Sequence, residues 1–218
     1  MDTAAVVKVL RRLEKEVQKF RVPTMDLHET HNDEPFRILL ATIMSARTKD
    51  EVTAVASRKL FKKVKNFKDI REISEAELRK IIHPVGFYKT KAKHIKQLPE
   101  VIDKEFDGKI RETIDELVKL PGVGRKTANL VVSLAFKEDA VCVDTHVHRI
   151  MNRFGYVRTK TPHETEMRLR AKLPRNWWRV TNRILVAYGQ NTCTPLSPWC
   201  SKCPVAKLCE QKNVKRTR

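Results

Sequence analysis

Four cysteines lie close together near one end of the chain, and a fifth stands apart in an apolar run. The four are Cys193, Cys200, Cys203 and Cys209. Thiolates in such a group bind soft metals, and the C-x2-C step lets two sulfurs reach one centre around a tight turn. The spacing alone fits either tetrahedral zinc or a [4Fe–4S] cluster. We expect the fifth, Cys142, to be a small core residue without a chemical role.

A lysine at the start of a predicted helix is the first candidate for chemistry on a substrate. Segment 117–129 reads LVKLPGVGRKTAN, so Pro121 ends one helix, and Gly122 and Gly124 form the turn before the next. N–H groups at the start of that second helix would face a phosphate oxygen, helped by the helix dipole. Lys126 lies in its first turn, either as a reactive amine or as a further phosphate-facing lysine. The alternative for the whole segment is a plain helix-turn-helix corner.

An aspartate follows the apolar run around Cys142 and opens another helical segment. Asp144 has the position and the residue type that cap a helix N-terminus. A capping carboxylate is held rigidly with its charge fixed, which would also suit it to stabilise a developing sugar cation. His146 and His148 point about 200° away from each other on a helix, so they cannot chelate one ion.

The charge balance indicates a polyanionic partner. The chain has 218 residues, and its 45 Lys and Arg exceed its 26 Asp and Glu, for a net charge of +19. Hydrophobic residues make up 41%, enough for a core, and no apolar run reaches the ~18 residues of a membrane span. The first residues resemble neither a secretory nor a transit peptide. We therefore expect a monomeric intracellular protein of the cytoplasm or nucleoid that binds nucleic acid and no membrane.

Helix-start signals are frequent in the sequence, and strand-like alternation is scarce. Capping boxes begin at Thr48, Ser74, Thr113 and Thr161, each followed three residues later by Glu, and Asp33 offers a similar start. Apolar residues at helical spacing follow these signals. The sequence predicts ten or more short helices joined by brief loops, and hence an all-α protein.

Three separated motifs together resemble the endonuclease III family of helix-hairpin-helix base-excision DNA glycosylases. They are Leu120–Asn129, Val143–Arg149 and the 6-2-5 spacing of the four cysteines, and the resemblance covers about residues 36–209. In that family the lysine after the Gly-Val-Gly-Arg run is the nucleophile, which implies this role for Lys126. The aspartate that opens the Asp-Thr-His helix is the essential carboxylate, which implies this role for Asp144. The cysteine spacing implies a [4Fe–4S] cluster, with zinc as the alternative occupant.

The same resemblance implies which residues contact DNA. The hairpin residues that would grip the backbone are Gly122, Val123, Gly124 and Arg125. In segment 44–50 the family typically has a Gln that fills the hole left by a flipped base; this chain has Arg47, which can stack and donate. The apolar wedge that unstacks the opposite strand corresponds to Phe87. From sequence alone, an aromatic residue at this position is more often part of a core.

For the reaction, the resemblance implies removal of an oxidised pyrimidine from double-stranded DNA, followed by strand cleavage at the abasic site. The damaged base is flipped out, and Asp144 promotes its departure and helps deprotonate Lys126. Lys126 attacks C1′ to give a Schiff base, and β-elimination then cuts the strand on the 3′ side. Two alternatives stay open. One is a monofunctional mismatch glycosylase on the same scaffold, and the other is a non-catalytic DNA-binding module with a structural zinc site.

The fold that the resemblance implies has two helical domains. Residues 28–138 would form a helical barrel that carries the hairpin at about 113–136. Residues 1–27 and 139–218 would form the second domain, with the cysteine loop at 193–209. A metal centre in that loop would mainly serve to fold a segment that has little apolar content of its own.

Overall fold

The secondary structure of this protein is helical throughout the residues that the computed structural model describes, 1–20 and 34–218, and no strand occurs among them. The α-helices, numbered α1 to α11 in chain order, are Thr3–Val17, Pro35–Ser45, Asp50–Lys63, Phe67–Glu72, Glu75–Ile82, Tyr88–Phe106, Ile114–Leu117, Arg125–Ala135, Thr145–Arg153, Pro162–Lys172 and Trp178–Asn191. Short 3-10 helices occur at Arg175–Trp177, Cys200–Lys202 and Ala206–Leu208. The prediction of an all-α protein is confirmed. None of the helices in the described ranges has both the length and the apolar composition that crossing a membrane requires.

Local capping starts several helices where the sequence predicts it. The side chains of Ser74, Thr113 and Thr161 each accept a hydrogen bond from the backbone N–H three residues further on, so these three caps are confirmed. The predicted cap at Thr48 is wrong. Helix α3 begins one residue later than that capping box requires, and its N-cap Lys49 makes no side-chain cap hydrogen bond. Asp33 lies outside the described residues.

The described residues divide into two compact units, and the N-terminal helix belongs with the C-terminal part of the chain. One unit contains α1 together with Asp139–Arg218, and the other ends at Glu138. The predicted boundary between residues 27 and 28 lies outside the described residues. The first of these units is therefore built from both terminal parts of the sequence.

The unit that ends at Glu138 is built around α2. This helix is buried without interruption from Ile38 to Met44, as expected for a helix that is apolar on all sides. It packs against α3, α6 and α8. Helices α4 and α5 pack against α6, and α7 packs against α8. The long helix α6 therefore packs against several shorter helices.

The other unit has its core around α11, which packs against α1 and α9. Helix α1 contributes an apolar stripe at helical spacing, formed by Val6, Val9, Leu10, Leu13 and Val17. Larger buried side chains fill the space between the helices, and three of the C-terminal cysteines pack against the same core while only partly buried. The cysteine-bearing segment is therefore attached to the core of this unit.

Candidate functional site

The segment that joins α7 to α8 turns tightly over buried apolar side chains. Leu117, Leu120 and Val123 are all buried, and the Val123 N–H donates to the Leu120 carbonyl over 3.1 Å. Gly122, between them, has a φ of +77°, a conformation that costs other residues about 1–2 kcal/mol. The two helices and this turn form the helix-hairpin-helix that the sequence predicts.

The two glycines of the hairpin have different surroundings. A Cβ on Gly122 would lie 2.8 Å from Nδ1 of His94, so the turn packs directly on α6. A Cβ on Gly124 would meet no atom within 4 Å. Gly124 is also the N-cap of α8 and supplies no side-chain acceptor. The start of α8 is therefore accessible to an anion that approaches from outside, where the helix dipole favours negative charge.

Lys126 lies in the first turn of α8, and its side chain is exposed. The neighbouring Arg125 is half-buried, with Nη1 3.5 Å from Oδ1 of Asp115. Asn129 donates to the Arg125 carbonyl over 3.0 Å, and Ala128 is fully buried, which lets the helices of the hairpin pack closely. The amine of Lys126 therefore lies next to the helix start that an anion could approach.

Asp144 begins α9 and caps it with its side chain. Its Oδ1 accepts hydrogen bonds from the N–H groups of His146 and Val147, both over 2.9 Å. The sequence-based prediction of an N-cap is confirmed. Because one carboxylate oxygen receives both bonds, the orientation of this half-buried side chain is fixed by the start of the helix. A carboxylate held in this way can stabilise a cationic centre without reorganising.

The two histidines of α9 make separate contacts within their own unit. Nδ1 of His146 lies 3.1 Å from Nη2 of Arg149, whereas Nδ1 of His148 lies 2.6 Å from Oγ1 of Thr165. Burial lowers the pKa of His148 below its usual value, and the carboxylate of Glu164 partly opposes this shift. Both imidazole rings are therefore held by polar contacts within this unit.

Arg47 and Phe87, which are distant in sequence, meet at the protein surface. Cζ of Arg47 lies 5.8 Å from the centroid of the Phe87 ring, within the range of a cation–π contact. Both residues have left-handed backbones, with φ of +53° and +56°, which residues other than glycine rarely adopt. Phe87 is 63% exposed, so its interpretation as a core residue is wrong. Strained backbone of this kind concentrates at functional positions.

The four C-terminal cysteines line a single cavity. Two hydrogen-bond donors from helices reach their sulfurs. The Tyr188 hydroxyl donates to Sγ of Cys203 over 2.9 Å, and Nη1 of Arg153 donates to Sγ of Cys193 over 3.3 Å. None of the five cysteines forms a disulfide, and Cys142 is buried in the core, as predicted.

The four thiols share this cavity, and thiolates are ligands for soft metals. Four sulfurs bound to one zinc ion would lie about 3.8 Å apart, given a Zn–S distance of about 2.3 Å. In the described part of the chain, no three His, Cys, Asp or Glu side chains are close enough to hold a single metal ion. Burial raises the pKa of the Cys209 thiol to about 11, so metal binding there would release a proton. Four thiols are a donor set that suits either zinc or an iron–sulfur cluster.

Three polar side chains that support these features were not predicted as site residues. Tyr188 and Arg153 contact the cysteine sulfurs from distant parts of the sequence, and no local pattern points to them. Lys91 on α6 is buried beneath the segment that contains Arg47. A signal for Lys91 does exist, because it precedes Ile95 by four residues and so lies on the apolar face of its helix.

Comparisons with known proteins identify relatives that cover most of the chain. A family model described as "HhH-GPD superfamily base excision DNA repair protein" matches residues 40–175. Endonuclease III of Thermotoga maritima is 41% identical over 177 residues, which cover 81% of this chain and 83% of that protein. Endonuclease III of Bacillus subtilis is 40% identical over 184 residues, which cover 84% of each chain.

Solved structures show the same relationship. A trapped covalent intermediate of endonuclease III with DNA, an estranged-adenine complex, matches with a TM-score of 0.85 and 33% identity, over 97% of this chain and 98% of that one. A non-covalent endonuclease III–DNA complex matches with a TM-score of 0.84 and 33% identity, over 97% of each chain. The resemblance inferred from the three motifs is confirmed. The chain belongs to the HhH-GPD superfamily of base excision DNA repair proteins and, within it, to the endonuclease III family.

Proposed function

We propose that this protein is a bifunctional DNA glycosylase and abasic-site lyase that removes oxidised pyrimidines from double-stranded DNA. The observation that carries the proposal is an exposed lysine, Lys126, in the first turn of the hairpin's second helix, in a chain whose relatives are endonucleases III. A primary amine is the group that converts base removal into a lyase reaction, because it can form a Schiff base with the sugar.

Duplex binding is assigned to the hairpin and to the net charge of +19. Gly122, Val123, Gly124 and Arg125 would bind a backbone phosphate through N–H groups at the start of α8, aided by the helix dipole. Such contacts carry no sequence information, which suits an enzyme that must find damage anywhere in a genome. Affinity should therefore depend strongly on salt concentration and weakly on sequence.

The chemistry is assigned to Lys126 and Asp144. With the damaged base flipped out of the stack, the bond between C1′ and the base nitrogen breaks, and the negative charge of Asp144 stabilises the cationic sugar. The departing base takes up the proton that the ammonium of Lys126 loses, and the resulting amine forms a bond with C1′. A second proton then moves from this nitrogen to O4′ as the C1′–O4′ bond breaks, which gives the Schiff base. Loss of a C2′ proton then expels the 3′ phosphate, and water releases the lysine from the sugar fragment.

Arg47 and Phe87 are proposed to replace the extruded base and to separate the facing bases. Phe87 is exposed, and Arg47 lies close to its ring, so the two side chains form a compact aromatic and cationic projection. An aromatic ring inserted between base steps unstacks them at a cost of a few kcal/mol, which contacts to the bent duplex offset.

We assign a [4Fe–4S] cluster to Cys193, Cys200, Cys203 and Cys209, in preference to zinc. The support comes from the shared cavity, the all-sulfur donor set and the hydrogen bonds that Tyr188 and Arg153 direct at two of the sulfurs. When bound, the cluster would cross-link the C-terminal segment, which contributes few apolar side chains to the core. No step of the reaction passes through it.

The two compact units correspond, in this proposal, to a barrel domain that carries the hairpin and a second domain that carries the cysteines. Because the substrate is chromosomal DNA, the protein would act in the cytoplasm or nucleoid, next to the chromosome. Its working partner is duplex DNA that contains a damaged base or an abasic site.

The decisive experiment separates base removal from strand cleavage. Labelled duplexes, each with one oxidised pyrimidine, are incubated with the protein and analysed with and without alkali, and parallel samples are treated with borohydride. We expect strand cleavage without alkali and a covalent protein–DNA adduct. Lys126→Ala should lose both the cleavage and the adduct, whereas Lys119→Ala, an exposed lysine of the same hairpin, should retain them.

Each other outcome points to a different function. Alkali-dependent cleavage without an adduct would identify a monofunctional glycosylase. Duplex binding without loss of any base, by a protein that contains zinc and no iron, would identify a DNA-binding module. An adduct that persists in Lys126→Ala would show that another residue is the nucleophile.

A further inference from the structure

Lys91 is a lysine whose side chain lies inside the protein. It belongs to a run of basic residues on α6, in which Lys89 and Lys93 are exposed, whereas Lys91 is only 6% exposed. Buried ammonium groups are rare and require partners, since an unpaired charge in a core is strongly unfavourable. The contacts of Lys91 therefore indicate what this side chain is for.

All three partners of the Lys91 ammonium lie in the segment where α2 ends. Nζ donates to the carbonyl of Met44 over 2.7 Å, to the carbonyl of Ala46 over 2.5 Å and to Oγ1 of Thr48 over 3.1 Å. An ammonium has three N–H donors, so these contacts use each of them once. Carbonyls at a helix C-terminus lack helical partners and carry the negative end of the dipole. The lysine both neutralises this helix end and fixes the path of the chain beyond it.

The fixed segment contains Arg47. Two of the groups that Lys91 contacts, the Ala46 carbonyl and the Thr48 hydroxyl, flank Arg47 on either side. Arg47 has a left-handed φ of +53°, a conformation that persists in such a residue only where its surroundings impose it. The contacts of Lys91 therefore restrain the chain on both sides of this strained residue.

The same lysine is joined to the residues around Phe87. The Lys91 N–H donates to the Phe87 carbonyl over 3.0 Å in the first turn of α6, and the Gly86 N–H donates to Oγ1 of Thr48 over 3.1 Å. A Cβ on Gly86 would lie only 2.5 Å from the Arg47 carbonyl oxygen. The two backbones that carry Arg47 and Phe87 are thus in close contact, with Lys91 bonded to both.

We propose that Lys91 is a positioning residue that holds Arg47 and Phe87 together in the arrangement that enters the duplex during base extrusion. The inference rests on the proposed function. It assigns no DNA contact to Lys91 itself, because the buried ammonium is fully used by Met44, Ala46 and Thr48. Misplacement of a positioned group by about 1 Å can reduce a reaction rate by about 100-fold, so removal of this restraint should be visible in kinetics.

The test compares a duplex, from which the damaged base must be extruded, with single-stranded DNA, in which no base pair has to be broken. Lys91→Met keeps most of the length of the side chain and removes its donors, and Lys93→Met makes the same charge change at an exposed position of α6. One substrate is a duplex with a single oxidised pyrimidine, and the other is single-stranded DNA with an abasic site. We expect Lys91→Met to lower single-turnover excision from the duplex about 10- to 100-fold. Borohydride trapping on the single strand should change less than about twofold, and Lys93→Met should leave the ratio between the two substrates unchanged.

A spectroscopic signal follows the opening step itself. With 2-aminopurine placed opposite the lesion, insertion of the two side chains unstacks this base and raises its fluorescence. The rise should be diminished in Lys91→Met and retained in Lys93→Met. Thr48→Val serves as a milder second variant, since it removes only the hydroxyl shared by Lys91 and Gly86, and it should show a smaller change in the same ratio.

Several results would overturn the proposal. One is an equal loss of activity on both substrates in Lys91→Met, and another is full activity of this variant on the duplex. Where Lys91→Met does not fold, a wild-type ratio between the two substrates in Thr48→Val would also contradict the proposal. Failure of the proposed function looks different, because the wild-type protein would then neither trap on abasic DNA nor remove a base from the duplex.

Discussion

Gly122 packs closely against the side chain of His94, because a Cβ at position 122 would lie only 2.8 Å from Nδ1 of this histidine. The hairpin turn is thereby docked onto α6, the helix that also begins beside Phe87 and carries Lys91. The hairpin turn and the two residues proposed to enter the duplex are consequently attached to one helix of the same unit.

The first prediction uses the contrast between the two hairpin glycines. Gly122→Ala should lower the melting temperature by about 2–8 °C, because it combines a left-handed backbone with a clash against His94. Gly124→Leu should be tolerated better by the fold, since its side chain enters open space. It should nevertheless weaken binding to all duplex sequences about equally, because the side chain would block approach to the start of α8. Calorimetry and salt titrations of binding measure both effects, and tight binding by Gly124→Leu would contradict the assignment of the phosphate contact.

A second prediction separates the structural and the chemical role of Asp144. Asp144→Asn retains an oxygen that can cap α9, so its melting temperature and its DNA affinity should stay near those of the wild type. Without the negative charge, base excision under single-turnover conditions should fall at least about 100-fold. Asp144→Ala provides the comparison, since it should also lose about 1 kcal/mol of stability with the cap. A large loss of DNA affinity in the Asn variant would contradict this division of roles.

The third prediction concerns the metal centre. Purified protein should contain iron, and Cys203→Ser should lose iron and visible colour and melt at a lower temperature, because the C-terminal segment is no longer cross-linked. Cys142→Ala is the matched control: it changes a buried cysteine that does not line the cavity, and it should keep the full iron content. Metal analysis by mass spectrometry gives the answer directly, and zinc in stoichiometric amounts would rule out the cluster.

A pH dependence of stability is expected from His148. Burial lowers its pKa in the folded protein, so between the lowered pKa and about 6.5 the unfolded chain binds more protons. Stability from this residue is thus present above about pH 6.5 and is lost as the pH falls. Replacement by Gln should flatten the decline of melting temperature between pH 7 and 5. The same substitution at His163, which is exposed, should leave the profile unchanged, and identical profiles for all three proteins would contradict the prediction.

Three of the four N-caps predicted from capping-box patterns in the local sequence are present in the structure. Ser74, Thr113 and Thr161 cap helices through contacts three residues away, and neighbouring residues decide such contacts. Thr48 has the same local pattern and fails, because its hydroxyl is engaged by Lys91 and by the Gly86 N–H from another part of the chain. A tertiary contact therefore overrides the local signal.

Residues whose roles depend on tertiary packing could not be recognised in the same way. The cysteine spacing predicts a common site, and the four sulfurs do line one cavity, but Tyr188 and Arg153 reach it from helices that no short motif connects. An apolar residue such as Phe87 is more often buried in a core than exposed. Only the structure shows that Phe87 is exposed and has a left-handed backbone. The roles of Lys126 and Asp144 in catalysis stay predictions, which the variants described above address.

The attachment of α1 to α11 has a consequence for how the protein is made. Helix α1 is synthesised well before α11, which packs against its apolar stripe. The unit that ends at Glu138 is complete earlier and can fold during translation. Until α11 has been synthesised, the apolar stripe of α1 therefore lacks the helix that packs against it in the folded protein.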